Sequence, residues 1–270
     1  MTITFIGGGN MASAIIGGLL QRGWDRKALA AVEILPAARE KLEQAFQIQT
    51  FASADAQALQ ADCVVLAIKP QQMREAAVQL APLIKHALVI TIAAGIRGSD
   101  LARWLGGHPR IVRVMPNTPA LVGAGISGLF AAPGVAAADR DLAASIMGAV
   151  GETVWVLRED DIDAVTAVSG SGPAYVFYFI EALEQAARDV GMNTDTARRL
   201  ALATFTGACK LAAQSSDDAA TLRARVTSKG GTTERALASM EADHIKAAIS
   251  RAVQAAAERS RELGAELGSS

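Results

Sequence analysis

The chain has 270 residues, a net charge of −1, 51% apolar residues and 20% charged ones. That supply of apolar side chains fits one large or two modest cores and excludes a disordered chain. The near-zero charge argues against nucleic acid or an anionic membrane as partner, since both need clustered positive charge.

From residue 1 to about 155, short β-rich runs alternate with helical patterns. The predicted strands are ITFI (3–6), ALAAVE (28–33), CVVLAI (63–68), ALVITIA (87–93) and RIVRVM (110–115). Several are continuously apolar, as a parallel sheet buried on both faces requires. Helical stretches such as 10–22 and 36–46 supply the crossovers, and GISGLFA (125–131) and ETVWVL (152–157) extend the sheet. The expected fold is α/β, with a Rossmann-like dinucleotide-binding domain over 1–158. Past about residue 160 the strand pattern stops. Helices are predicted over 173–190, 195–215, 230–242 and 244–265, broken at Gly191-Met192-Asn193 and Gly230-Gly231. Residues 159–270 therefore form an all-α C-terminal domain, whose Ala-rich helices suit a dimer interface. The apolar first twenty residues lack a basic n-region and are interrupted by Gly7-Gly8-Gly9-Asn10, and no run reaches the ~18 apolar residues of a spanning helix. A cytoplasmic protein is expected.

FIGGGNMA (5–12) carries G-x-G-x-x-A as Gly7, Gly9 and Ala12, between a strand and a helix. Gly7 allows the tight turn, Gly9 lets backbone approach a pyrophosphate, and Ala12 lets the helix pack on the strand. The helix N-terminus then offers N–H groups to phosphates. The second strand ends at Glu33, about 20 residues beyond the motif, where an acid bonds the ribose 2′-OH of NAD and repels the 2′-phosphate of NADP. Arg26 and Arg39 lie near enough to offer a phosphate partner instead, so the cofactor is NADH or NADPH. Lys69-Pro70 and Ala93-Ala94-Gly95 follow two further strands, at carboxyl ends where ligands of this fold lie. MPNTP (115–119) makes either a rigid wall beside a nicotinamide, with Asn117 and Thr118 as hydrogen-bonding groups, or a plain rigid turn.

The chemistry available beyond the cofactor is sparse. His86, His108 and His244 lie outside any motif and read as surface or capping residues. Glu159, Asp160, Asp161 and Asp163 read as a solvated loop that caps a helix. Cys63 and Cys209 read as buried free thiols, and no spacing suggests a metal. An alcohol dehydrogenation needs a general acid/base that these segments lack. SGSGPAYVF (169–177) and TSKGGTT (227–233) each lead into an apolar helix, and such a start offers donors to a carboxylate. A cap accounts for one Ser or Thr, not for both glycines and the extra threonine. Reduction of a cyclic imine fits, because a protonated C=N bond accepts hydride with only a hydrogen-bond partner on nitrogen.

These motifs, with AIKPQ (67–71), AAG (93–95), RVMPNTPALVGAG (113–125) and TSKGGTTERAL (227–237), resemble in order and end to end the pyrroline-5-carboxylate reductases. That family reduces 1-pyrroline-5-carboxylate to L-proline, the last step of proline biosynthesis. The resemblance implies that Ile6, Gly7, Gly8, Gly9, Asn10 and Met11 hold the pyrophosphate. It implies that Ala67, Ile68, Lys69, Pro70, Ala93, Ala94 and Gly95 line ribose and nicotinamide, with Met115, Pro116 and Asn117 close by. It further implies that Ser228 and the N–H groups of Gly231 and Thr232 take the substrate carboxylate. Thr233, as the catalytic residue, would bond the ring nitrogen. Interleaved homodimers assembling into a larger ring, a decamer, are implied as well. The chain departs from the family at Lys229, where Pro is common, at Arg223-Ala224, where Lys-Asp is common, and at Glu33, where a small polar residue is common. The competing readings are a β-hydroxyacid or 6-phosphogluconate-type dehydrogenase, with Lys210 as its only candidate lysine between 160 and 220, and a non-catalytic dinucleotide sensor.

Overall fold

A computed structural model describes residues 1–269. The chain divides into two compact units, residues 1–171 with 255 onward, and Gly172–Gln254. In chain order the first unit contains β1 (Ile3–Ile6), α1 (Asn10–Gln21), β2 (Leu29–Val32), α2 (Pro36–Phe46), β3 (Gln49–Phe51) and β4 (Cys63–Leu66). It continues with α3 (Pro70–Leu80), β5 (Leu88–Thr91), α4 (Gly98–Trp104), β6 (Ile111–Met115) and β7 (Gly125–Ala131). After α5 (Ala137–Gly148), β8 (Gly151–Trp155) and α6 (Asp161–Val165), the second unit holds α7 (Gly172–Asp189), α8 (Thr194–Gln214), α9 (Ala219–Arg225) and α10 (Thr232–Ala242). A last helix, α11 (Ile245–Ser269), begins in the second unit and ends in the first.

One sheet of eight strands runs in the order β3-β2-β1-β4-β5-β6-β7-β8. The first six are parallel in the doubly wound order; β7 runs antiparallel to β6, and β8 parallel to β7. The two late apolar runs thus do extend the sheet. The apolar strands are explained by their two buried faces. In β4, Cys63 and Val65 join Phe5, Ile15, Ile16, Leu88 and Ile146 on one side. Val64 and Leu66 join Met73, Leu80, Val89 and Leu101 on the other. Strand β3, with sequence QTF, escapes sequence patterning because it is three residues, one exposed and two half-buried, pairing β2 alone.

The second unit has a different constitution. Helix α7 packs on α8, Asn193 caps α8 through the Thr196 N–H (2.9 Å), and Asp218 caps α9 through the Thr221 N–H (2.7 Å). Yet among the described residues its only buried side chains are Ala197 and Ala201. Cys209, expected inside, is exposed on α8, away from the buried Ala197 and Ala201, whereas Cys63 lies inside the sheet core. Burial first, then the Asp139 carboxylate, pushes the Cys63 thiol far up, which keeps it protonated and inert. No helix of the described residues is long and apolar enough to cross a membrane.

Candidate functional site

Strand β1 sits between β2 and β4, so its carboxyl end marks the point where the connections reverse direction. Gly7 leaves that end at φ +97°, donating to the Val32 carbonyl at 2.8 Å. A Cβ there would stand 2.6 Å from the Ala67 carbonyl oxygen, so both conformation and space demand glycine. At Gly8 a built Cβ would stand 2.6 Å from Leu42 Cδ1, a side-chain tip that can move where the Ala67 backbone cannot. Gly9 precedes the first turn of α1 with no side chain capping it, and a Cβ on it would meet nothing within 4 Å. The leading N–H groups of α1 therefore face open space that a larger residue at 9 would fill. Ala12 is buried in the sheet core, which seats α1 on the strand. Asn10 is exposed and Met11 packs against the core edge.

In front of this turn lies a cleft of about 670 Å³ whose walls include Gly7, Gly9, Glu33, Ala67, Ile68 and Lys69. Most of its far wall was not legible as a site: Ser53 follows β3, and Gln72 and Glu75 stand on α3. The signal for α3 was present, since Pro70 suits a first turn and Met73, Ala77 and Leu80 fall on one buried face. Of the remaining candidates, Ala93, Ala94 and Gly95 follow β5, while Met115, Pro116 and Asn117 end and follow β6. They occupy successive carboxyl ends of parallel strands beside the cleft strands. Gly95 takes φ +72° against Leu263 and Leu267 of α11. Asn117 is buried, donating from Nδ2 to the Ser169 carbonyl (3.2 Å) and accepting the Ile126 N–H on Oδ1 (3.0 Å).

Glu33 lies at the end of β2. Its Oε2 accepts the Gly8 N–H and its Oε1 the Leu35 N–H, each at 2.9 Å. Arg39 donates from Nη1 to the carbonyls of Glu33 (2.7 Å) and Ile34 (3.1 Å).

The segment SGSGPAYVF differs from its sequence expectation. Residues Thr166–Gly170 form a π-helical turn continuing from α6, and the Ser171 N–H donates to the Thr166 carbonyl at 2.8 Å. Thr166 and Ser169 hydroxyls bond back to the carbonyls of Ile162 (2.8 Å) and Val165 (3.0 Å). The Ser171 N–H and the hydroxyls of Thr166 and Ser169 are thus spent within the turn. The acid cluster is also not a solvated loop throughout. Glu159 accepts from Arg113 (3.1 Å) and from the Gly98 N–H (2.5 Å), and buried Asp163 accepts the Ser260 hydroxyl (2.6 Å). His108 is a core residue rather than a surface one: it donates to the Ala87 carbonyl at 2.9 Å, and burial holds its pKa below the ordinary value.

In the second unit TSKGGTT does open onto a helix end. Helix α10 begins at Thr232, and Gly231 precedes it without a side-chain cap. Gly230 takes φ +74°, and the Gly231 N–H turns back to the Ser228 carbonyl at 3.0 Å. The Gly231 N–H, expected to reach a substrate, is therefore committed to closing the turn. The donors without intrahelical acceptors are those of Thr232, Thr233 and Glu234. Ser228 lies so close that a Cβ on Gly231 would stand 2.6 Å from its Oγ, while Glu234 accepts the Gly230 N–H at 2.7 Å. Ser228, Gly231, Thr232 and Thr233 are thus brought together, and Lys229 is exposed beside them.

A doubly wound sheet whose glycine turn opens on a cleft at the switch point is the architecture of a dinucleotide-dependent oxidoreductase. Residues 2–95 match the model of the NADP oxidoreductase, coenzyme F420-dependent, family, and residues 159–263 that of pyrroline-5-carboxylate reductase dimerisation. The chain is 44% identical to a pyrroline-5-carboxylate reductase of Pseudomonas aeruginosa, covering 98% of both, and 43% identical to that of Haemophilus influenzae, covering 97% of both. The solved pyrroline-5-carboxylate reductase of Coxiella burnetii matches with a TM-score of 0.92 at 40% identity, over 97% of this chain and 98% of that one. A Plasmodium falciparum pyrroline carboxylate reductase with NADP bound matches with a TM-score of 0.86 at 28% identity, over 98% of both. The chain belongs to the pyrroline-5-carboxylate reductase family.

Proposed function

We propose that the chain reduces the C=N bond of 1-pyrroline-5-carboxylate to give L-proline, using NADH or NADPH. The observation that carries this reading is the open start of α10, where the N–H groups of Thr232 and Thr233 have no intrahelical acceptor, Ser228 Oγ lies against Gly231, and no histidine stands in residues 226–237. A helix N-terminus of that kind complements a carboxylate, and the imine needs no strong base. The bound dinucleotide supplies the hydride from nicotinamide C4. The Gly7–Gly9 turn and the first N–H groups of α1 hold the pyrophosphate, and the chain segments at 67–70, 93–95 and 115–117 line ribose and nicotinamide. Ser228 Oγ and the N–H groups of Thr232 and Thr233 fix the carboxylate, and Gly231 contributes by carrying no Cβ there. Thr233 Oγ1 accepts a hydrogen bond from the N–H of the protonated ring nitrogen and holds the imine in place as its carbon accepts hydride, so the step depends on positioning rather than on a tuned pKa.

The dimerisation-model match and the uncovered helices of the second unit support a homodimer, which assembles further into a ring of ten. In this reading 1–158 bind the dinucleotide, 159–270 bind substrate and dimerise, and the enzyme works in the cytoplasm. The test is Thr233→Ala. Its kcat with pyrroline-5-carboxylate should fall about 10- to 100-fold, as for loss of one hydrogen bond to a charged group, with the dissociation constant of the dinucleotide unchanged. Wild-type kcat in that variant would overturn the role of Thr233. Wild-type protein that oxidises hydroxy acids and leaves the imine untouched would overturn the function itself.

A further inference from the structure

We infer that Glu33 makes this chain selective for NADH against NADPH, an inference that rests on the cleft's binding a dinucleotide. The carboxylate is fixed rather than adrift. Its backbone N–H is tied to the Phe51 carbonyl at 2.9 Å, and both of its oxygens accept backbone N–H groups, Gly8 on one side and Leu35 on the other. Gly8 completes the clamp: a Cβ there would press on Leu42 at 2.6 Å and stand 3.3 Å from Glu33 Oε2. The middle glycine of the turn and the acid ending β2 therefore form one local structure.

Each carboxylate oxygen has two acceptor sites, so one N–H bond apiece leaves capacity for the 2′- and 3′-hydroxyls of an adenine ribose. A 2′-phosphate at the same place brings two further negative charges and acceptor oxygens only. It would meet a carboxylate that two N–H bonds prevent from swinging away. Compensating cations are few. Arg39 Nη1 is occupied by the Glu33 and Ile34 carbonyls. Along the cleft, Lys69 is opposed by Glu33 and by Glu75, so the wall is net negative before any phosphate enters.

The test measures binding, by calorimetric titration of NADH and NADPH into the full chain without substrate, for wild type, Glu33→Gln and Glu33→Ser. The expected result is wild-type affinity at least tenfold tighter for NADH. Both substitutions should move the ratio of dissociation constants toward NADPH by tenfold or more, tightening NADPH while loosening NADH. Equal wild-type affinities, or an equal loss for both dinucleotides in the variants, would overturn the inference and leave Glu33 as a clamp on the turn. Steady-state imine reduction by the wild-type protein, run alongside, separates the two levels. Turnover with an unmoved binding ratio defeats the selectivity alone, whereas no dinucleotide binding and no turnover defeats the functional reading with it.

Discussion

Gly17 and Gly18 stand side by side in α1, where each costs helix stability relative to alanine. Their surroundings differ. A Cβ on Gly18 would come 2.4 Å from the Ala149 carbonyl oxygen and 2.9 Å from Val150 Cγ1, whereas one on Gly17 would meet only the ring edge of Phe46 at 3.3 Å. Backbone cannot retreat as a ring can. Gly18→Ala should therefore destabilise the protein by about 1–3 kcal/mol through overpacking. Gly17→Ala should be neutral or stabilise by up to ~1 kcal/mol through helix propensity. Urea midpoints of the two variants check this, and equal effects would mean that α1 does not press on the turn before β8. The same shift of α1 should weaken dinucleotide binding in Gly18→Ala, because α1 carries the N–H groups at the cleft. Sequence shows the Gly-Gly pair but not which of the two is obligatory, since the partner at Ala149 is remote in the chain.

Strands and helices were legible where their periodicity is set by burial on two sides, as in CVVL and LVIT, and the Gly7-x-Gly9-x-x-Ala12 turn was legible because its glycines have local causes. The start of α10 was legible from two glycines before paired threonines, though not the use of the Gly231 N–H within its own turn. What escaped is longer in range: the π turn at Thr166–Gly170 and the partners of Glu159 and Asp163 depend on contacts from β6, α4 and α11. Asn117 illustrates how those elements are joined. Its amide fastens the loop after β6 to the π turn on one side and to β7 on the other. Asn117→Ala leaves the Ile126 N–H and the Ser169 carbonyl without it, which should cost about 1–3 kcal/mol. Asn117→Asp keeps the acceptor for Ile126 but turns a carboxylate oxygen on the Ser169 carbonyl. The acid form can still donate there, so the folded pKa lies above the unfolded ~3.9. The deficit against wild type should be smallest below that pH and should grow as pH rises through the folded pKa. Thermal midpoints of both variants and wild type from pH 4 to 8 measure it; a pH-independent deficit in Asn117→Asp would mean the amide does not donate to Ser169.

The helices of Gly172–Gln254 pose the question of what holds them. Two alanines are buried, while Phe177 is 65% exposed, Tyr178 70%, Leu211 58% and Val226 64%. Ordering a residue costs about 1–2 kcal/mol of backbone entropy, and two methyl groups offset almost none of that. Apolar surface of this extent on a folded chain marks an interface. A match to a dimerisation model over 159–263 supports a second copy as the partner for it. The protein should therefore sediment as a dimer or a larger closed assembly at every concentration at which it is folded. Its melting temperature should rise with protein concentration, because association and folding are one equilibrium. Phe177→Glu, paired with Tyr178→Glu should the first fail to express, places charge in that contact. It should yield smaller, less stable species, with imine reduction lost in proportion to the dimer lost. A wild-type monomer that keeps full helix content at nanomolar concentration and melts independently of concentration would show that these faces need no partner.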